Sequence, residues 1–475
     1  MPSRPRTRRW LRWLAAACGL LVLAGAAGAA YLASSQPGDV VNEDVEFDAT
    51  PPPAPPAPEP EPDAGTQPAA DAEPGGRRRP PAFTWPVYGY DKARTKYLPL
   101  AEPLRPPFAE RWKVGGSILL EFPPAMGGRS LFLLKNNGAL YGIARHSGKV
   151  RWKRKLGYLA ASQPAYGDGT VYSVLLERGK GIKAGRVVAV GAARGRTKWS
   201  KKLPSRAESS PLLHDGILYF GTENGTVFAL RARDGAERWR YKADGAVKGA
   251  LAYDRGKLYF GTYGGKVHAV RAQDGRRVWE VGTSGGRFGL GSGNFYATPA
   301  VAFGRVYIGN TDGFVYSFSA RNGRLAWRKK TGGYVYSSPA VAQVPGGRPT
   351  VYVGSYDRRF YALDARTGAV RWSRPAGGRV SGGAQLLGDL VFFSTLERTT
   401  TALGANTGAV VWRTRRGGFN PVVSNGRGIF LVGYTTLYGL DGRPPKDSAA
   451  VRAARRRATG RRAARRKARQ ERAVQ

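Results

Sequence analysis

Cysteine, methionine and histidine are scarce in this chain of 475 residues, which contains one, two and three of them respectively. The only cysteine, Cys18, lies in an apolar stretch, which excludes an internal disulfide framework and a thiolate metal cluster. We expect His146, His214 and His268 in turns or on strand surfaces, and nothing in their positions suggests that they converge. The sequence therefore predicts no catalytic, cofactor-binding or metal-binding residue and no cofactor.

Acidic residues are also few, at 33 against 76 lysines and arginines, and the formal net charge is +43. The charge is uneven: residues 1–13 carry five arginines, and residues 38–76 carry ten acids without a base. A net charge of +37 remains on residues 77–442. Such a field favours anionic partners and faster encounter with them, but it does not determine the fold.

One apolar run is long enough to cross a bilayer. Residues 14–33 ("LAAACGLLVLAGAAGAAYLA") contain no charge, and as a helix they would span about 30 Å. The arginines before it and the acids after it predict a cytoplasmic segment 1–13, a signal anchor and an exported remainder. Cleavage near Ala26–Ala30 is the alternative. The predicted location is the cytoplasmic membrane, in a single pass with the N-terminus inside.

Residues 34–82 are rich in proline, alanine and acids, as in "PPPAPPAPEPEPDAG". This composition cannot bury a core, so we expect a disordered linker that packs against nothing and holds the folded part away from the bilayer. Transient contact between its acids and the basic domain is a second interpretation. A lead-in segment, 83–107, follows.

One phrase recurs seven times between residues 141 and 412. "YALDARTGAVRW" at 361–372 is the clearest copy, and every copy keeps glycine at the eighth position and tryptophan at the twelfth. These residues are Gly148, Gly195, Gly235, Gly275, Gly323, Gly368 and Gly408, with Trp152, Trp199, Trp239, Trp279, Trp327, Trp372 and Trp412. Seven copies in register indicate a repeat protein.

Each copy ends a unit of roughly 40–48 residues with short alternating runs of valine, tyrosine and phenylalanine between glycine-containing turns. This pattern predicts four antiparallel strands per unit, as in a propeller blade. The repeated glycine should occupy the last turn of the blade at positive φ. The tryptophan should fasten one blade to the next, beside a small alanine.

The count of blades follows from the two ends of the array. "FAERWKVGG" contains a closing strand with Trp112 but no blade, whereas the stretch after Trp412 contains three strands but no closing tryptophan. Together they complete an eighth blade, which removes the open sheet edges. The predicted fold is an all-β, eight-bladed propeller of four-stranded antiparallel blades over 108–442, closed by an N-terminal strand and preceded by a transmembrane helix.

"DARTGAVRW" at 364–372 resembles the tryptophan-docking motif of the pyrroloquinoline-quinone-type repeat family, Ala-x-Asp-x-x-(Thr)-Gly-x-x-x-Trp. The resemblance covers about 108–442 and implies the propeller fold. The family includes quinoprotein alcohol dehydrogenases, BamB-like scaffolds of outer-membrane assembly and sensor domains of membrane kinases, so the resemblance alone does not choose a function. Among these classes, the chain is most similar to the BamB-like scaffolds.

A quinoprotein dehydrogenase would need oxygen ligands for Ca²⁺, an aspartate base and, in many members, two adjacent cysteines beside a planar polyanionic quinone. The segments that should line the axis offer one carboxylate, Glu208, against Arg206, Lys248 and Arg379. This is a poor calcium site. The dehydrogenase is therefore the alternative, and a non-catalytic protein is the prediction.

Aromatic and basic residues just before the predicted strands suggest a ligand funnel at the axis. They are Arg287, Phe288, Tyr296, Tyr334, Tyr336 and Arg379, with Phe295 beside them. Such a surface suits a peptide, a glycan or an anionic ligand. Ordinary loop packing is the alternative interpretation.

Residues 443–475 carry thirteen bases and two acids, with almost no large apolar side chain. We expect a solvated basic arm whose targets would be anionic lipid or wall polymers; nucleic acid would need the reverse topology. The predicted function is a membrane-anchored, exported, non-catalytic scaffold, BamB-like or sensor-type, that binds an envelope protein or peptide. The alternatives are a quinoprotein dehydrogenase and a binder of anionic envelope polymers.

Overall fold

A computed structural model describes residues 38–50, 83–177, 184–283 and 293–443. Within these ranges the regular elements are β-strands, and none of the described residues forms a helix with the length and apolar character of a membrane span. The predicted signal anchor at 14–33 and residues 444–475 of the basic tail lie outside the described residues.

Eight four-stranded antiparallel blades surround one axis, and the predicted all-β propeller with eight blades is confirmed. From the innermost strand outwards, the strands of blades one to four are Ala125–Gly127, Ser130–Leu134, Ala139–Ala144, Val150–Lys155; Ala165–Gly167, Thr170–Leu176, Gly185–Gly191, Thr197–Leu203; Leu212–His214, Ile217–Gly221, Thr226–Arg231, Glu237–Lys242; and Ala252–Asp254, Lys257–Gly261, Lys266–Arg271, Arg277–Gly282. Those of blades five to eight are Ala300–Ala302, Arg305–Gly309, Phe314–Ser319, Leu325–Lys330; Ala340–Ala342, Thr350–Gly354, Arg359–Asp364, Val370–Pro375; Gln385–Leu387, Leu390–Ser394, Thr400–Gly404, Val410–Thr414; and Val422–Ser424, Gly428–Val432, Leu437–Arg443, Arg105–Val114.

The burial of each strand follows its place in the blade. Second strands such as Leu390–Ser394 are buried along their whole length, because neighbouring blades cover both faces of the sheet. Outer strands such as Val150–Lys155 are largely exposed and carry lysine and arginine. Strands buried on both faces read as continuous apolar runs, which is why the inner strands are recognisable in the sequence.

Seven tryptophans, those of blade eight and of blades one to six, each dock on the next blade of the ring. In each case the Nε1–H donates a hydrogen bond to a backbone carbonyl in the last turn of that blade, at N···O distances of 2.9–3.3 Å. The donor–acceptor pairs are Trp112–Arg145, Trp152–Ala192, Trp199–Ala232, Trp239–Ala272, Trp279–Ala320, Trp327–Ala365 and Trp372–Ala405. Each docked indole thus gains a hydrogen bond as well as packing area.

The repeat glycine has two reasons to be glycine, as blade six illustrates. Gly368 has a φ of 74°, where a Cβ would clash with the backbone. A Cβ there would also lie 2.7 Å from the ring of Trp327. The indole of one blade therefore rests directly on the glycine turn of the next blade.

Blade eight joins the two ends of the described propeller. Its outer strand Arg105–Val114 pairs antiparallel with Leu437–Arg443, and Trp112 stacks on Phe430 with ring centroids 5.8 Å apart. Closure by an N-terminal strand is therefore confirmed. Because no chain turns from the third to the outer strand of this blade, Trp412 has no glycine turn to rest on, and it meets Phe108 edge-on at 5.1 Å instead.

Residues 38–50, which we call the strap, pack on blade five. Val40–Val41 adds a fifth strand to its outer edge, and the Phe47 ring stacks on Phe303 with centroids 5.5 Å apart. Buried Arg305 donates hydrogen bonds to two strap carbonyls, at 2.7 and 2.9 Å. The expectation that 34–82 packs against nothing is thus wrong for these residues.

Opposite charges line the contact between the strap and the blades. Four strap acids pair with basic side chains at 2.5–3.6 Å: Asp39 with Lys329, Asp44 with Arg324, Glu46 with Arg321 and Asp48 with Arg255. These groups are largely exposed, so each pair contributes little alone. The apolar and buried contacts carry most of the docking energy.

Two glycine variants isolate the tryptophan contact. Gly368→Ala and Gly377→Ala both place a Cβ at positive φ, at 74° and 76°, but only the first meets another side chain, because nothing lies within 4 Å of the second. Both should lose about 1 kcal/mol to backbone strain. G368A should lose about 1–3 kcal/mol more by displacing the indole. Thermal melting checks this, and equal melting temperatures would contradict direct docking.

Deletion of the strap should destabilise the propeller. A chain lacking residues 1–50 loses the Phe47–Phe303 stack and the two acceptors of Arg305, a loss of about 2–4 kcal/mol. A chain lacking only 1–37 keeps these contacts and serves as the control. Thermal melting should place the first several degrees below the second, and the same melting temperature for both would mean that the strap stabilises nothing.

Candidate functional site

The residues just before each innermost strand turn towards the axis, and we call these eight stretches the entry segments. In six blades a proline directly precedes the strand: Pro124, Pro164, Pro211, Pro299, Pro339 and Pro421. Proline fixes its own φ and favours an extended residue before it, which aims the segment at the axis. The eight entry segments therefore present side chains to a common space.

A belt of hydrogen bonds ties neighbouring entry segments together. The backbone N–H of Thr298 donates to the Ser338 hydroxyl at 3.0 Å, and the Gly383 N–H donates to the Asn420 side-chain oxygen at the same distance. The Asn420 amide in turn donates to the Glu121 carbonyl at 2.7 Å. Each residue of the belt lies on a different blade, so the belt fixes the shape of the axial opening.

Residues 83–98 fill the axial channel at the level of the innermost strands, and we call them the plug. Six innermost strands each donate a backbone N–H to a plug carbonyl at 2.7–2.9 Å; the donors are Met126, Tyr166, Tyr253, Val301, Val341 and Leu386. Tyr97–Leu98 also pairs in parallel with the innermost strand of blade seven. The plug therefore closes the channel from beneath.

Polar side chains of the plug are buried inside the ring. Arg94 donates to the carbonyls of Leu251 and Ser210 at 2.8 and 3.4 Å, which satisfies acceptors of blades four and three. The Lys96 ammonium lies 4.8 Å from the centroid of the Tyr88 ring. Burial, with Arg94 nearby, lowers the pKa of Lys96 to about 7.

Above the plug lies a cavity of about 230 Å³, which we call the mouth. It is lined by Tyr88 of the plug and by residues of every blade: Glu121, Phe122, Ala161, Glu208, Ser210, Lys248, Gly249, Ala250, Tyr296, Thr298, Tyr336, Ser338, Tyr356, Ser381, Gly382, Gly383, Phe419 and Asn420. A concave site with aromatic walls and few charges is typical of ligand binding.

Tyrosine rings form one wall of the mouth. The ring centroids of Tyr296 and Tyr336 are 5.6 Å apart, and those of Tyr336 and Tyr356 are 4.9 Å apart. Tyr334 lies outside this group of three: its ring centroid is 6.0 Å from that of Tyr336, and its side chain is half-exposed. These rings offer aromatic surface and hydroxyl groups to a ligand.

Next to this wall, on blades three and four, a pair of carboxylates shares one ammonium group. Lys248 Nζ lies 3.0 Å from Glu208 Oε1 and 3.3 Å from Glu223 Oε1. Burial raises the pKa of Glu208, and its hydrogen bond with Glu223 raises it further. Although burial opposes its charge, the two carboxylates raise the pKa of Lys248.

Four of the six predicted funnel residues lie in the described part of the chain. Tyr296 and Tyr336 line the mouth, while Tyr334 lies at its edge. Arg379 does not line it: its guanidinium lies 5.9 Å from the Tyr356 ring and 3.5 Å from Glu397. Arg287 and Phe288 lie outside the described residues.

Two further expectations from the sequence are wrong. Phe295 is fully buried in the core between blades four and five and faces no funnel. His268 is also buried, bonded to Asp244 at 2.9 Å and to the Tyr241 hydroxyl at 3.1 Å, so it is no surface histidine. These two hydrogen bonds satisfy the ring nitrogens of His268 and so allow the side chain to be buried.

Sequence reasoning missed Glu121, Phe122, Tyr356, Phe419 and Asn420, and it assigned no role to the plug. A signal for Glu121 was present, because it stands four residues before the innermost strand, as Glu208, Lys248 and Tyr296 do. Tyr88 lies in the plug, outside the repeated blades, so no corresponding position in another blade points to it.

The sequence was compared with protein families and known structures. The family described as outer membrane protein assembly factor BamB matches residues 136–344 and 311–474, well over half of the chain. The chain belongs to this family. The resemblance to pyrroloquinoline-quinone-type repeats is thereby confirmed. A comparison with curated protein sequences found no significant match.

Solved structures share the family's fold at low sequence identity. BamB from Moraxella catarrhalis is 17% identical over 70% of this chain and 99% of its own, with a TM-score of 0.54. The quinohemoprotein alcohol dehydrogenase ADHIIG from Pseudomonas putida HK5 is 14% identical over 77% and 82%, with a TM-score of 0.61. The computationally designed protein Ika8 is 12% identical over 70% and 100%, with a TM-score of 0.58. These likenesses show the fold alone.

The residues of the mouth fit a polyanionic quinone poorly. In the described part of the lining, the one cation is Lys248, which two carboxylates already share, and Glu121 adds a further acid. Among the described residues, no group of three or more acidic, histidine or cysteine side chains is arranged to hold a metal ion. The carboxylates of the quinone would therefore meet acidic side chains, and the described residues assemble no ligand set for its calcium ion.

Proposed function

We propose that this chain is a membrane-anchored, extracytoplasmic scaffold that binds a segment of an envelope protein or peptide in its mouth and catalyses no reaction. The carrying observation is the mouth itself, which is closed by the plug, walled by tyrosines and fixed by the hydrogen-bonded belt. The description of the family as an outer membrane assembly factor supports a protein partner in the envelope.

The chemistry of the mouth supports binding better than catalysis. Glu208 and Lys248, which could serve as acid and base, are paired with each other at 3.0 Å. Tyrosine offers a large, rigid and amphipathic contact area, which is why aromatic residues are enriched at protein interfaces. A mouth with one opening suits a loop or a chain end.

The strap supports an anchored propeller that lies beside the bilayer. If residues 14–33 cross the membrane, only 34–37 separate the span from Gly38, a reach of roughly 18 Å when fully extended. Asp39 is held on Lys329 at the edge of blade five. In this proposal the strap would hold blade five close to the headgroups, in place of the spacer role expected of the segment.

A quinoprotein dehydrogenase is the second candidate, because a quinohemoprotein alcohol dehydrogenase shares the propeller fold. Binding of anionic envelope polymers by the basic surface and tail stays a prediction from the sequence.

Photo-crosslinking tests the scaffold. A photoreactive phenylalanine analogue at Tyr336, in the mouth, should give adducts of defined mass in the native envelope, because a bound segment would touch this ring. The same analogue at Val410, 57% exposed on the outer strand of blade seven, is the control. No adduct at position 336, or the same adducts at both positions, would contradict the proposal.

The dehydrogenase has its own test. The purified chain with added pyrroloquinoline quinone and Ca²⁺ should show no dye-linked alcohol oxidation and no change in melting temperature. A rise of several degrees that needs both additions, accompanied by oxidation of an alcohol, would establish the enzyme instead.

A further inference from the structure

The mouth is acidic although the chain as a whole is strongly basic. Of the lining residues that the structure describes, two are carboxylates, Glu121 and Glu208, and one is a cation, Lys248. Glu223 lies behind Glu208 and is reached by Arg206 only at 3.7 Å. The charge of the mouth therefore opposes that of the protein surface, and this reversal indicates what the mouth selects.

Lys248 shows how an ammonium group is held in this cavity. Its Nζ contacts Glu208 and Glu223 and lies 5.2 Å from the centroid of the Tyr263 ring. Carboxylates together with an aromatic face are the usual surroundings of a bound organic cation. On one side of the mouth, the ammonium group of Lys248 therefore already occupies surroundings of this kind.

Glu121 offers a second carboxylate that no side chain neutralises. Its Oε2 accepts a hydrogen bond from the Asn136 amide at 2.6 Å, and it forms no ion pair within the part of the chain that the structure describes. The neighbouring Phe122 ring lies edge-on to Tyr88, with centroids 5.6 Å apart. An acid beside two aromatic rings is thus left without a cation.

Tyr296 connects the two acidic sides. Burial raises the pKa of its hydroxyl, and both Glu208 and Glu121 raise it further, so this ring feels both carboxylates. A group placed beside Tyr296 therefore lies in a field of two acids, of which only Glu208 is paired with a lysine.

We propose that the mouth binds its ligand through an ammonium or guanidinium group placed against Glu121, Phe122 and Tyr88. This inference rests on the proposed function and names the chemistry of the bound segment: a lysine or arginine side chain, or a free amino terminus. It replaces the anionic ligand that the sequence suggested. The +37 on residues 77–442 repels such a cation at long range, so recognition depends on contacts inside the mouth.

Three small probes of one shape test the charge preference on the full chain. Calorimetric titration with n-butylammonium, n-butanol and n-butyrate compares a cation, a neutral molecule and an anion of similar size. Butylammonium should bind at least fivefold more tightly than butanol, and butyrate should not bind. Equal binding of all three, or preference for butyrate, overturns the proposal.

Variants locate the effect. Glu121→Gln retains a hydrogen-bond acceptor for Asn136 but removes the charge, so binding of butylammonium should fall to the level of butanol. Glu177→Gln, at an ion pair with Arg186 on blade two, is the matched control and should change nothing. If E121Q does not fold, Phe122→Leu keeps the charge and should weaken butylammonium severalfold. Full binding by either mouth variant overturns the assignment.

The pH dependence gives an independent readout. Burial raises the pKa of Glu121 above its usual 4.5, so the wild-type site should lose butylammonium as the pH falls through that raised value. In E121Q this loss should be reduced. The two proposals can fail separately. Crosslinks at position 336 without tighter binding of butylammonium would contradict this inference but not the scaffold. Tighter binding of butylammonium without crosslinks would contradict the scaffold.

Discussion

The contact between an indole and a glycine turn holds this protein together. A tryptophan on each outer strand, from blade eight round to blade six, rests on the last turn of the next blade, and a Cβ on that turn would lie 2.5–2.8 Å from the ring. The residue paired with the tryptophan in its own blade is always small, such as Gly142 beside Trp152 or Ala229 beside Trp239. Seven equal contacts of this kind fix the angle between blades and thus the number that closes the ring.

Closure of the ring leaves eight innermost strands whose inner backbone groups face a narrow channel and have no partner strand there. Buried N–H groups without partners are costly, so the channel must hold water or chain. Here the plug supplies carbonyls to six strands, and Arg94 supplies donors to further carbonyls. The plug satisfies the ring and leaves a mouth that opens on one face only, which is why the entry segments, and not the channel, carry the candidate site.

The blades could be predicted from the sequence because their defining residues act locally. The glycine and tryptophan of a blade lie four residues apart, and turn geometry and packing fix both wherever the unit occurs. The plug could not be predicted, since its partners lie in six blades and its residues repeat nothing. The docking of the strap could not be predicted, because its composition is acidic and few of its side chains, such as Val45 and Phe47, are apolar enough to bury. Its docking site did leave a signal, since Phe303 and Arg305 occupy positions that carry glycine and serine in blade one.

The candidate site was predicted in part. Tyr296 and Tyr336 stand at corresponding positions before their strands, so their meeting at the axis follows from the repeat. The acidic side follows from the repeat only when the entry segment of blade one is aligned with those of the other blades, and the total charge points instead to anionic ligands. Total charge describes the surface, whereas a buried mouth is governed by the few groups that line it.

The central claim, that the mouth is a binding site for a cationic group, can be tested most directly by crystallography. Crystals of the chain soaked with 4-bromobenzylammonium would reveal the probe by the anomalous scattering of bromine. The account predicts a bromine site within the mouth, with the ammonium directed at Glu121 and the ring against Tyr88 and Phe122. Bromine sites confined to acids on the outer surface, with none in the mouth, would contradict it.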